Sequence, residues 1–145
     1  MVDLLDIAKR PPITTTPTAT VRELCAQMVA ERVGAVAVVD GDKLVGIVSE
    51  RDVVGRVVAA GRDPETTRVA DVMTSELHTA RAGMSTDDAV RVMHDRRFRH
   101  LPIVDAEGHV VGMLSIRHLL RVRADELNLR NVDLQNFIAA DGPGG

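Results

Sequence analysis

The chain has 145 residues, 45% of them apolar and 27% charged, with a formal net charge of -3 and two aromatic residues, both Phe. Without Trp or Tyr it lacks platforms for stacking bases, and an acidic balance offers no duplex-binding surface, so nucleic acid is not an expected partner. No apolar run reaches membrane-spanning length and nothing at the start resembles a signal peptide, so the expectation is a cytoplasmic protein without a membrane partner.

Residues 3–9 read as a short helix stopped by Pro11-Pro12, and 13–16 as a brief β-prone stretch. Thr20 then caps a helix, with Glu23 at the third position of a capping box. Val21, Leu24, Cys25, Met28 and Val29 follow at spacings of three and four, which predicts one apolar face. Cys25 is the one cysteine, so it forms no internal disulfide and reads as a buried core thiol on that face. Gly34 follows the helix end. The unbroken apolar run 35–39 fits a strand covered on both sides, Asp40-Gly41-Asp42 a turn, and 44–48 the returning strand. Ser49, with Asp52 three residues on, opens a helix expected to reach about residue 60 and to stop at Gly61. The order is β-α-β-β-α.

The start of that last helix has two readings. A helix start presents unpaired N–H groups at the positive end of the dipole, where an anion can bind. A hydroxyl there can hold a phosphate while the carboxylate accepts from a ribose diol. Ser49 and Asp52 also serve equally well as nothing more than a cap.

The whole pattern then recurs. At an offset of 65, Thr14 meets Thr79, Thr20 meets Ser85, Glu23 meets Asp88, Met28 meets Met93, Arg32 meets Arg97 and Asp40 meets Asp105. One extra residue in the turn from Asp105 to Gly108 shifts the offset to 66, and Gly46 meets Gly112, Ser49 meets Ser115 and Arg51 meets Arg117. Caps, turns and strand ends agree in order, the mark of a tandem repeat. The divisions are repeat one at 6–60, a linker at 61–70, repeat two at 71–124, and a C-terminal helix and disordered tail at 125–145. Neither repeat is long enough to bury much surface alone, so the two should pack together. Residues 119–140 read as a long helix in which Leu120, Leu127 and Leu134 recur every seven residues, with Ile138 beyond. The stripe either packs back on its own domain or makes a dimer contact.

Two such copies, each ending in Gly-apolar-apolar-Ser-x-x-Asp or a relic of it, together with Arg99-His100-Leu101-Pro102-Ile103-Val104-Asp105 in the second, resemble the CBS-domain family. The resemblance covers residues 6–124. It implies a fold of the α/β (α+β) class, two repeats packed sheet to sheet about a pseudo-twofold axis, with a C-terminal helix added. It also implies two clefts for adenosine-containing ligands, AMP first, then NAD(H), ATP, ADP or S-adenosylmethionine. Such modules commonly form homodimers and signal to an effector protein, here an unknown separate chain, rather than catalyse.

By the same resemblance, cleft one draws Gly46, Ile47, Ser49 and Asp52 from repeat one and Leu77, His78, Arg99, His100 and Pro102 from repeat two. Asp52 would accept from the ribose hydroxyls, Ser49 and the N–H groups of its helix would meet the phosphate, and Arg99 with His100 would neutralise it. Backbone groups of Leu77 and His78 would read the adenine edge, between Ile47 and Pro102. Cleft two, with Ile13, Gly34, Ser115 and His118, departs from the pattern. His118 stands where the aspartate belongs, and Gly34-Ala35 stand where Arg99-His100 stand in the other copy. One competent nucleotide site per chain is therefore expected, with cleft two degenerate.

The five histidines show no metal-ligand spacing, and no nucleophile has an orienting acid beside it, so neither a metal site nor catalysis is expected. The rival reading, from another class, is a ligand-free interaction scaffold in which caps and strands serve folding alone. An enzyme acting on nucleotides is the third.

Overall fold

A computed structural model of the chain describes residues 3–130. Asp3 accepts a hydrogen bond from Leu5 N and caps α1 (Leu4–Ile7), shorter than the expected 3–9. Strand β1 (Thr14–Thr15) leads to α2 (Val21–Glu31), whose Thr20 and Glu23 form the expected reciprocal capping box. Val21, Leu24 and Met28 are buried, but Val29 stands 79% exposed and Cys25 is half-buried. Val29 lies about 100° around the helix from Met28, so the apolar face is narrower than expected. Burial still lifts the Cys25 thiol above its ordinary pKa, against a smaller opposing effect of Arg22.

After α2, Arg32 turns the chain in the left-handed region (φ 55°), and β2 (Ala35–Asp40) and β3 (Lys43–Ser49) form a hairpin about Gly41. The helix after Ser49 is regular only over α3 (Glu50–Val53). It then widens through Val54–Val58, where Ala59 N donates to Val54 O and Arg62 N to Val57 O. Gly55 lies inside this widened turn, a residue with weak preference for the regular helix. The turn buries Val57 against Val21 and Val72 and leaves Val54 and Val58 exposed.

The second copy repeats the plan: β4 (Ala80–Arg81), α4 (Thr86–Arg96), Arg97 at φ 58°, β5 (His100–Val104) and β6 (Val110–Ser115). Helix α5 (Ile116–Arg130) runs on without a break from the second repeat. It buries Leu119, while Leu120 and Leu127 are 50% and 41% exposed, so neither is enclosed by its own domain. Leu134, Ile138 and the tail lie outside the described residues.

Each repeat builds a three-stranded sheet, β1-β2-β3 and β4-β5-β6, parallel in its first pair and antiparallel in its second. Both sheets shift register at the matching place, between Val38 and Val39 and between Ile103 and Val104. Ala37, Leu44, Val104 and Met113 pack with Ile47 and Leu77 into one core fed by both repeats.

The segments that lead into the repeats cross over. Lys9 exchanges two backbone hydrogen bonds with Met113 (3.0 and 3.2 Å), and Thr74 does the same with Ile47 (2.9 and 3.0 Å). Each leading strap thus extends the other repeat's sheet. Accordingly Leu4 lies in the core of repeat two, and Val69 in that of repeat one. A repeat without its partner would lose part of its own apolar core, which is the physical reason that the two fold as a pair.

Candidate functional site

The start of α3 is held by its own residues. Ser49 Oγ accepts from Asp52 N (3.3 Å), and Asp52 Oδ2 accepts from Ser49 N (2.9 Å) and from Ser49 Oγ (3.2 Å). Glu50 N donates to Gly34 O (3.0 Å). Two of the N–H groups expected to face a phosphate are therefore spent inside the protein, and the Ser49 hydroxyl is engaged. Asp52 Oδ1 accepts no hydrogen bond among the described residues, and the side chain is 16% exposed. Arg56 Nε lies 4.0 Å from that oxygen.

Gly34 and Arg99 occupy equivalent places, since Ile116 N donates to Arg99 O (2.8 Å) as Glu50 N does to Gly34 O. Arg99 is exposed and His100, the first residue of β5, is half-buried. The place where a Cβ on Gly34 would sit is 3.0 Å from Glu50 Oε1 and 3.4 Å from His100 Cε1. Candidates assigned to different clefts, Gly34 and His100, therefore meet at one point where the repeats join. Burial pushes the His100 pKa below its ordinary value; Glu50 opposes this, and Arg99 and His118 add to it.

The remaining candidates divide between packing and surface. Ile47 and Leu77, one from each repeat, join the core between the sheets, and Pro102 is buried in β5 opposite Met113. Gly46 faces the strap, where a Cβ would meet Met73 Sδ at 2.6 Å, which gives this glycine a packing reason independent of any ligand. The His78 ring lies 5.2 Å from that of Phe98; its buried Nε2 has no hydrogen-bond partner, with Glu76 Oε1 3.6 Å away. In the other half, Ile13 O accepts from Ala37 N within the first sheet, Ser115 is half-buried and His118 is exposed. Among the described residues no cluster of three His, Cys, Asp or Glu side chains is arranged to hold a metal ion. No helix among them is long and apolar enough to cross a membrane.

Two residues at the site were not foreseen, Glu50 and Arg56. Arg56 was legible in principle, because it lies four residues after Asp52 on a helix and such pairs face each other.

Two α/β repeats of one strand order, with a shared core and straps exchanged between them, define a paired-repeat module. The family model for the CBS domain matches residues 4–59 and 69–125. The chain belongs to the CBS-domain family. An uncharacterised protein of Methanopyrus kandleri is 34% identical over 122 residues, 83% of this chain and 62% of that protein. A CBS domain-containing protein of Bacillus subtilis is 37% identical over 106 residues, covering 73% of this chain and 74% of its own length. The chain spans as little as 16% of longer curated relatives. Among solved structures, a CBS domain protein of Pyrobaculum aerophilum complexed with AMP is 31% identical, with a TM-score of 0.78 over 89% of this chain and 98% of that one.

Proposed function

We propose that this chain is a regulatory module, not an enzyme, that binds an adenine nucleotide in the cleft between its two CBS repeats. AMP is the first choice; NAD(H), ATP, ADP and S-adenosylmethionine follow. The observation that carries the reading is the inequality of the two equivalent helix starts. Asp52 is a largely enclosed carboxylate whose Oδ1 faces Arg56 at 4.0 Å and accepts no hydrogen bond among the described residues, whereas its counterpart His118 is exposed and is a poorer acceptor for a diol. The AMP complex of the Pyrobaculum aerophilum relative supports the ligand class.

In this reading Asp52 Oδ1 accepts from the ribose, while Arg99 and His100 bring positive charge to the phosphate from the second repeat. The signal is a population shift. A nucleotide touching both repeats favours the arrangement that faces Asp52 towards Arg99, by no more than its differential affinity for the two arrangements. In this reading the module acts in the cytoplasm as a homodimer, and an effector protein receives the signal.

Calorimetric titration with AMP, ATP, NADH and S-adenosylmethionine tests the proposal. Saturable heat with AMP is expected. Silence from all four ligands would leave the interaction scaffold as the better reading.

A further inference from the structure

We propose that Arg56 is a positioning residue that couples the nucleotide site to the leading strap of the second repeat. The inference rests on the nucleotide reading for its ligand, and on geometry for the rest. Asp52 Oδ2 is occupied by Ser49 N and Oγ, so Oδ1 is the oxygen left for a ligand, and Arg56 Nε stands 4.0 Å from it. The same guanidinium donates through Nη1 to the carbonyl oxygens of Val72 (3.0 Å) and Met73 (3.1 Å). One residue further, Thr74 pairs with Ile47 in β3, the strand that ends at Ser49. Asp52, Arg56, the strap and β3 thus form a closed circuit. A planar guanidinium with several fixed donors can hold a carboxylate and two carbonyls at once, which an ammonium cannot do in the same geometry.

The second repeat supplies an internal control. The counterparts of Asp52 and Arg56, at the offset of 66, are His118 and Val122. No carboxylate–guanidinium pair stands there, so among the described residues the first strap, paired through Lys9 and Met113, has no equivalent tie. A ligand that fixes the Asp52 carboxylate fixes Arg56 against Val72 and Met73, and the strap opens less often. The coupling is one-sided.

Hydrogen exchange tests this, using the full chain with AMP as the probe. In wild type, AMP should slow exchange at Ile47 and Thr74 and leave Lys9 and Met113 unchanged. Without ligand, Arg56→Met should speed exchange at Ile47 and Thr74 by roughly tenfold, the expected cost of losing bonds from a charged donor. With AMP added, that variant should show no slowing at the strap. Arg56→Lys keeps the charge beside Asp52 but loses the paired donation, so its rates should fall between the two. A purely structural role would raise basal exchange yet preserve the AMP effect. Unchanged basal rates in Arg56→Met, or AMP protection equal to that of wild type, would overturn the proposal. If AMP does not bind the wild-type chain, the nucleotide reading and the coupling both fall, while the ligand-free rates still decide whether Arg56 ties down the strap.

Discussion

Gly46 and Met73 meet where the strap of the second repeat crosses the third strand of the first. A Cβ on Gly46 would come within 2.6 Å of Met73 Sδ and 3.1 Å of Thr74 O. The thioether can move aside, but the carbonyl is fixed by its bond from Ile47 N. Gly46→Ala should therefore destabilise the chain by about 1–3 kcal/mol through overpacking. At the equivalent Gly112 the nearest atom is Ala8 Cβ at 3.1 Å, with no backbone atom closer than 3.5 Å. Gly112→Ala should cost about half as much. Urea midpoints read both effects, and a Gly46→Ala midpoint equal to wild type would remove the close approach as the reason for this glycine.

Asp52 carries two duties at once, capping α3 through Oδ2 and keeping Oδ1 for a ligand. Asp52→Ala should weaken AMP binding by about 1.5–3 kcal/mol, roughly ten- to a hundredfold. His118→Ala should leave the affinity nearly unchanged. Because the alanine also removes half of the cap, Asp52→Asn is the cleaner variant: it retains an acceptor for Ser49 N and loses the charge that holds the ribose. Equal losses at Asp52 and His118, read by calorimetry, would show that one site per chain is the wrong count.

The two repeats cap their first helices unequally. Thr20 and Glu23 satisfy each other's backbone N–H groups, whereas Ser85 accepts from Asp88 N without a return bond from Ser85 N to the Asp88 carboxylate. Thr20→Ala should cost about 1 kcal/mol, and Ser85→Ala a few tenths less. Thermal midpoints of the two variants give the order, and a larger loss at Ser85 would contradict it.

Much of this fold was legible because its signals are local. Thr20-Glu23, the turn at Gly41 and the run 35–39 each dictate structure from within a few residues, and the repeat doubled every such signal. The straps were not legible. Lys9 and Thr74 carry no pattern of their own, and their partners Met113 and Ile47 are set by how the repeats pack rather than by neighbouring sequence. The same limit applies at the site. Ser49 and Asp52 were visible as a pair, but the meeting of Gly34, Glu50 and His100 depends on two strands brought together across the repeats. The narrowed face of α2, with Val29 exposed, reflects what covers the helix, which spacing alone does not reveal.

His100 makes folding stability depend on pH in a definite direction. Its folded-state pKa lies below the ordinary value of 6.5, chiefly because burial disfavours the charged ring, with Arg99 and His118 adding repulsion and Glu50 only partly offsetting it. The unfolded chain therefore binds this proton more readily than the folded one. Stability from this group is fully present above the unfolded value of 6.5 and declines as the pH falls from there towards the lower folded value. Below the folded value the loss is complete and this contribution no longer changes. Replacing His100 with Gln removes the titrating group, so the fall in urea midpoint between about pH 7.5 and 5.5 should be smaller than in wild type. Glu50→Gln removes the one neighbour that favours the charged ring, so it should steepen the fall. Identical pH profiles for wild type and both variants would mean that the ring is not enclosed between the repeats as the geometry around Gly34 requires.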